Sequence, residues 1–399
     1  MKPAPILAAT VLISILPLTA CGSTNNGNTS GASASSNSST LQTPANQVSK
    51  QDVKDGIDKM LKLSRTIKSQ LAKQDAQGFK ESAAQVEAAW YRFENRVHVD
   101  YPLQYNEVEK YWMPLTAGAK SDHFDAKALS QLNDGMAKAL TKLKQTVSGS
   151  KTSTGADSAQ LQQAVDTYQK YVEQQVQQLV AHTEPFAQAV ETGDLDQAKA
   201  LYPKARVYYE RIEPIAESFG DLDPRIDARE NDVTGEAKWT GFHEIEKAIW
   251  VKHSLSGQAA YARQLVADEK DLQQKVKTVK LTPVQVIAGA VELLNEAATT
   301  KVTGEEERYS HIDLVDLSAN VDGSKEAFEV VKPTLEKQDA ALAKTIEQRF
   351  QQADALMATY RQGDGYKPYN DLTQADTRQI SERINALAEP LSKAAKLLG

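Results

Sequence analysis

Two short stretches carry acids and an imidazole at spacings that could hold a metal ion. In Tyr208-Tyr209-Glu210-Arg211-Ile212-Glu213-Pro214 two carboxylates stand three residues apart, and in Trp239-Thr240-Gly241-Phe242-His243-Glu244-Ile245-Glu246 the same spacing separates His243 from Glu246. On an α-helix such residues project from one face, so two carboxylates on one helix can meet an imidazole and a carboxylate on another. Between them lies the acidic, turn-rich run Asp221-Leu222-Asp223-Pro224-Arg225-Ile226-Asp227-Ala228-Arg229-Glu230. Carboxylate oxygens with one imidazole suit iron and other borderline first-row ions, whereas thiolate-seeking metals find no ligand here. Phe242, Ile245 and Ile249 form the apolar stripe of the second helix and set His243 and Glu246 beside the core. Pro214 removes the hydrogen bond to the carbonyl of Glu210, so a kink that widens a pocket is expected. Taken singly, the same acids also fit a solvated helix face, and His243 a structural histidine.

Other chemistries leave less trace. A zinc protease of the His-Glu-x-x-His kind needs a second histidine four residues after the first, and that position is Lys247. The inverted pattern fails at the same residue. Di-iron oxidation in a bundle takes paired Glu-x-x-His motifs, but here the order is His-x-x-Glu. There is no nucleophile elbow and no Gly-rich phosphate loop. The net charge of −7, with Lys and Arg scattered among acids, gives no basic footprint for nucleic acid.

The single Cys allows no disulfide within the chain. It stands at position 21, after Lys2 and an apolar run over 6–18 that is short for a membrane span. Leu18-Thr19-Ala20-Cys21 has the order of a bacterial lipobox. Residues 1–20 therefore read as a lipoprotein signal peptide, and Cys21 as a lipidated N-terminus that holds the protein on the outer face of the cell membrane. Residues 22–40 contain only Gly, Ser, Thr, Asn and Ala and read as a flexible tether within a linker over 21–50, with a reach of about 30 Å. Gly22, where an Asp would retain a Gram-negative lipoprotein at the inner membrane, favours a Gram-positive surface.

From residue 51 onward apolar residues recur at three- and four-residue spacing and no run alternates as a strand would, so the fold class expected is all-α, as two helical bundles. Helices are predicted over 52–73, 78–97, 106–112 and 126–147, making an N-terminal bundle within 51–150. A Ser/Thr/Gly-rich connector over 148–157 separates it from helices over 158–191, 196–218, 243–251, 258–276, 283–297, 313–331, 335–360 and 373–398, in a second unit over 155–399.

The residues of the second unit resemble the imelysin-like family, also called M75 peptidase-like, and within it the EfeO/EfeM proteins of iron uptake. The resemblance rests on Tyr209-Glu210-Arg211-Ile212-Glu213-Pro214, Glu217-Ser218-Phe219-Gly220-Asp221-Leu222-Asp223-Pro224, Asp227-Ala228-Arg229-Glu230, Gly241-Phe242-His243 through Trp250, and Tyr309-Ser310-His311 through Asn320-Val321-Asp322-Gly323. It implies a metal site near His243-x-x-Glu246 with Glu210, Glu213, Asp227, His243 and Glu246 as ligands, and Glu217, Glu230, His311 and Asp313 as second-rank candidates. It also implies an EfeU-type permease and an EfeB-type haem peroxidase as partners. A cupredoxin-like domain typical of EfeO proteins has no counterpart, so the chain resembles the EfeM type, without copper-dependent oxidation of iron. Iron is the expected cargo, with Cu2+, Zn2+ or manganese open, since all accept these ligands. An M75-type peptidase and a surface adhesion or polysaccharide-binding module are the alternatives.

Overall fold

A computed structural model describes residues 47–121, 124–149, 158–233 and 238–398. The predicted signal peptide, Cys21 and all of the tether up to residue 46 lie outside them. The described chain is all-α apart from one very short strand pair. No helix in it is long and apolar enough to cross a membrane.

The first bundle comprises α1 (Lys50–Ala72), α2 (Ala76–Trp90), the short α3 (Glu94–Asp100), α4 (Pro102–Lys120) and α5 (Ala126–Ser148). Ser49 and Asp52 start α1 with a reciprocal capping box, and Asp75 and Asp125 cap α2 and α5. Their apolar stripes close one core around Ile57, Met60, Trp90, Val108 and Leu140. Two helices differ from the sequence expectation. The run over 78–97 is cut after Trp90 by a turn, and 106–112 grows into the 19-residue α4, which opens on Pro102 at a position where proline suits a first turn.

The remaining helices are α6 (Ser158–Thr192), α7 (Leu195–Glu210), α8 (Leu222–Asp227), α9 (Phe242–Trp250), α10 (Ala259–Lys275), α11 (Pro283–Thr299), α12 (Asp313–Thr359) and α13 (Gln374–Leu398). They surround two apolar clusters. One lies among α6, α7, α9 and α10, around Tyr168, Phe186, Tyr202, Tyr209 and Phe242; the other lies among α11, α12 and α13, around Leu294, Leu314, Phe328 and Phe350. The two helices expected over 313–331 and 335–360 are present, but they part at Asp339, where φ is −152° and ψ 84°, and not at Pro333. The chain passes through Pro333 because Val331 and Leu335 both bury their side chains, and it bends instead at Asp339, whose carboxylate accepts from the Leu342 N–H at 2.9 Å. After α12 a two-residue antiparallel pairing, β1 (Arg361–Gln362) with β2 (Gly365–Tyr366), turns at Gly363 with φ +58°; it is too short to leave an alternating pattern in the sequence.

α4 packs across α11, and polar contacts cross between the two bundles. Asn106 Nδ2 donates to the Ala288 carbonyl at 2.7 Å. His98 of α3 points one ring nitrogen at Glu217 (3.2 Å) and the other at Glu292 of α11 (3.1 Å). Burial works against the imidazolium, but Glu217 and then Glu292 outweigh it and lift His98 to about 10. A folded value above the unfolded one of about 6.5 means stability that is complete below about 6.5 and fades as the pH climbs through the folded value. His98→Gln is therefore expected to cost about 3 kcal/mol near pH 6, with the gap from wild type closing toward pH 10. Urea midpoints of both proteins across that range measure it, and a gap independent of pH would remove the imidazolium from the account.

Candidate metal centre

The acidic pair sits where a helix stops. α7 ends at Glu210, and after a turn Pro214 opens a 3-10 helix, Glu213–Phe219, so the kink expected inside one helix over 196–218 is a full break. The missing proline N–H accounts for it. Close packing holds the break in place: a Cβ on Gly289 of α11 would fall 1.7 Å from the Pro214 carbonyl oxygen. Downstream, Tyr209 donates to Asp223 (2.5 Å), which pins α8 beneath α7. Trp239 Nε1 and Thr240 Oγ1 then bond the Ala228 and Arg225 carbonyls at 2.7 and 3.0 Å. Gly241, at φ +88°, lets the chain pass so close to α8 that a Cβ would meet the Ile226 oxygen at 2.2 Å. These contacts deliver α9, and with it His243, beside Asp227.

His243 is 2% exposed and Glu246 fully buried. Phe242, Ile245 and Ile249 face the core as a stripe. His243 Nδ1 meets Glu246 Oε2 at 2.9 Å, and the other Glu246 oxygen accepts from the Tyr309 and Ser310 N–H groups at 2.9 and 2.7 Å. That leaves Nε2 aimed at two carboxylates, Asp227 Oδ1 at 3.6 Å and Glu306 Oε1 at 3.8 Å, with no hydrogen-bond partner among the described residues. Asp227, His243 and Glu306 each offer a ligand atom, all within 4.8 Å of one another. An imidazole oriented through one nitrogen by a carboxylate and open at the other is the usual arrangement of a metal-ligating histidine.

Glu210 and Glu213 join this network through cations. Arg206 of α7 is fully buried, and its guanidinium touches Glu210, Asp227, Glu306 (3.5 Å), Glu307 (2.7 Å) and Asp316 (3.2 Å). Lys301, 1% exposed, sets Nζ 3.2 Å from Glu210, 2.6 Å from Glu213 and 3.4 Å from Glu306. Asn320 of α12 donates to Glu210 Oε2 and Glu213 Oε2 at 2.9 and 2.7 Å. Burial raises carboxylate values throughout, yet Lys301 and Arg206 overcome it at Glu210, which lies below its usual value, and Lys301 and His243 hold Glu306 well below. Glu213, sharing the ammonium with Glu210, is pushed well up by burial and by that neighbour. At His243, burial and the Arg206 charge oppose protonation, but Glu246, Glu306 and Asp227 prevail and bring it to about 9.

The second-rank positions scatter. Glu217 faces His98 at the bundle seam, and Glu230 lies at the surface with Lys247 and Tyr309 (2.5 and 2.6 Å). His311, at φ +59°, shapes the 304–312 loop through its backbone, bonding the Glu307 carbonyl and the Tyr369 N–H. Asp313 is buried and accepts from the Glu307 N–H at 3.1 Å, so it braces the loop that carries Glu306. Glu306, Arg206 and Lys301 were absent from the sequence-based set. The run Glu305-Glu306-Glu307 after Gly304 was a visible cue, three acids at a helix exit. Nothing local marked Arg206 or Lys301, since buried and solvated cations look alike in sequence.

An all-α chain whose His-x-x-Glu helix sits in a buried cage of carboxylates defines the class. Residues 164–394 match the imelysin family, which carries the label peptidase M75, and the chain belongs to that family. Among its relatives is the "Iron uptake system component EfeM" of Bacillus subtilis (strain 168), 42% identical over 92% of this chain and 95% of the relative. Others are an "Efem/EfeO family lipoprotein" of Staphylococcus haemolyticus (strain JCSC1435), 44% identical over 62% of this chain and 87% of the relative, and one of Staphylococcus aureus (strain NCTC 8325 / PS 47), 45% identical over 62% and 89%.

Arg206 neutralises acids that water cannot reach, so Arg206→Met leaves buried like charges facing one another. A loss of about 3–5 kcal/mol in unfolding free energy is expected. Denaturant titration at pH 7 checks this, and a loss below about 1 kcal/mol would mean that the acids share their protons instead.

Proposed function

We propose that the protein is an extracytoplasmic iron-binding lipoprotein of the EfeM type, which captures iron at the cell surface and passes it to an EfeU-type permease, with an EfeB-type haem peroxidase as a further component. The observation that carries the reading is His243 Nε2, buried, lacking a hydrogen-bond partner among the described residues, and directed at Asp227 and Glu306. These three are the proposed ligands. Glu246 orients the imidazole from behind, and Glu210 and Glu213 supply the acidic surroundings. The donor set is oxygen-rich with a single nitrogen, which suits iron and admits Cu2+ or Zn2+. Glu210 and Glu306 are held below the usual carboxylate range by the cations beside them, so both present negative charge to an incoming ion. The Bacillus and staphylococcal relatives carry iron-uptake and lipoprotein names, in keeping with lipidation of Cys21 and anchoring in the cell membrane.

The peptidase label draws less support from the same residues. Glu244, which follows His243 where a zinc protease carries its general base, turns away to Gln258 (3.2 Å) and Lys252 (3.4 Å). Glu246 spends both oxygens on His243 and two backbone N–H groups. Glu246 therefore has no oxygen left to activate water, and Glu244 is engaged elsewhere through Oε1.

Equilibrium competition against a chromogenic iron chelator tests the site. His243→Ala with Glu306→Gln is expected to weaken iron binding at least about a hundredfold, since lost ligands and their supports cost 10–100-fold apiece. Unchanged affinity in a folded double variant would sink the assignment. Because His243 is lifted to about 9, iron must displace its proton at neutral pH. Affinity should therefore climb from pH 6 to pH 9, with about one proton released per ion from this group below that range's upper end. Calorimetry in buffers of different ionisation enthalpy counts it.

A further inference from the structure

Three carboxylates from separate segments converge on one atom of the chain itself. Lys301 begins the 3-10 turn Lys301–Thr303 between α11 and the loop that bears Glu306. Its Nζ stands 2.6 Å from Glu213 Oε1, 3.2 Å from Glu210 Oε2 and 3.4 Å from Glu306 Oε1. Convergent hard oxygens around a point are what a metal ion requires, and an ammonium holds that place. The Glu306 oxygen is moreover the one that stands 3.8 Å from His243 Nε2. It cannot lend its full charge both to Lys301 and to a cation at His243.

The two buried cations differ in kind. Arg206 is a planar fork locked among five carboxylates. Lys301 is a compact charge on a four-carbon stem, which can be withdrawn by rotating single bonds. Glu296, on the last turns of α11, has a side chain 32% exposed and stands 4.0 Å from Arg229, and the Lys301 charge pulls against the effect of burial on it.

Resting on the iron-capture reading, we propose that Lys301 is an internal competitor for the cargo: its ammonium and an iron held by Asp227, His243 and Glu306 are alternative partners of the same Glu306 oxygen, in the field of Glu210 and Glu213. Capture pushes the ammonium outward, and its return weakens the hold on the ion, so release to a downstream acceptor needs no chemistry on the iron. The lysine keeps affinity below what the acid cage could reach. Burial disfavours its charge, but Glu210, Glu213 and Glu306 more than compensate, so it is an ammonium at every physiological pH.

The test uses Fe2+ under anaerobic conditions, competed against a chromogenic chelator, together with melting temperatures measured with and without iron. In Lys301→Met the charge is gone and the stem remains. Iron affinity is expected to rise about tenfold or more, as follows from removing a unit charge beside a divalent ion in a partly buried site. Transfer of iron to chelator should slow in step. The melting temperature in chelator should fall, because the acids lose their cation, while the rise on adding iron should exceed that of wild type. Lys301→Arg, which keeps the charge, should stay within about threefold of wild type. Should Lys301→Met fail to fold, Lys301→Gln, which removes the charge but keeps a polar head for the acids, is read by the same measurements. Wild type that binds iron while the neutral variant binds it no more tightly overturns the competitor role alone, and so does equal tightening in Lys301→Arg. Failure of wild type to bind iron at all brings down the capture reading, and this inference with it.

Discussion

Burying a charge is the constraint around which the second half of the chain is organised. Arg206 has no exposed surface, and a guanidinium cannot escape the cost of leaving water by giving up its proton. It must therefore be met by oxygens on every side. Those oxygens come from α7 itself (Glu210), from the end of α8 (Asp227), from the loop before α12 (Glu306 and Glu307) and from the first turn of α12 (Asp316). One cation thus fixes segments that lie far apart in sequence, and the Phe242 ring, 5.5 Å from the guanidinium carbon, closes the remaining side with α9.

In the iron-capture reading proposed above, the same constraint prepares the centre for a cation from outside. Acids gathered around an internal counter-charge are already desolvated and already aimed inward, so an incoming ion does not have to assemble them. Apolar packing holds the frame: Phe186 stacks on Phe242 beneath the cage, Tyr202 packs edge-on to both, and its hydroxyl donates to Glu307 at 3.1 Å. The breaks in the helices matter as much as the helices. Pro214 ends α7 so that Glu210 and Glu213 approach α12, and Gly241 allows α9 to start against α8. At the seam with the first bundle, His98 repeats the theme on a smaller scale, as one imidazolium between carboxylates of two segments.

Membership of a family labelled as peptidases does not determine what the centre does. The orientation of individual carboxylates bears on it more directly. Glu244 and Glu246 are adjacent to or one turn from His243, yet one turns to Gln258 and Lys252 and the other is consumed in holding the ring. What is left without a hydrogen-bond partner among the described residues is His243 Nε2, beside carboxylate oxygens that Arg206 and Lys301 already hold.

The all-α class, most helix positions and the two motif stretches could be read directly from the chain, because helical periodicity and the spacing of Glu210, Glu213, His243 and Glu246 are local properties. The apolar stripe of Phe242, Ile245 and Ile249 was enough to say that His243 turns inward. The partners of that histidine were another matter. Glu306 stands beside it only because α11, the 301–303 turn and the loop return to α9, and periodicity carries no information about such long-range meetings. Arg206 and Lys301 were invisible for the same reason: a cation is marked as buried by what surrounds it, and that is decided by packing. Likewise Pro333 could be seen as a break from sequence, yet burial of Val331 and Leu335 carries the helix through it to Asp339. Local sequence thus determined which groups could bind a cation, and only the tertiary structure decided which of them face one another and which already hold a charge of the protein's own, since desolvation and convergence are properties of the packed whole.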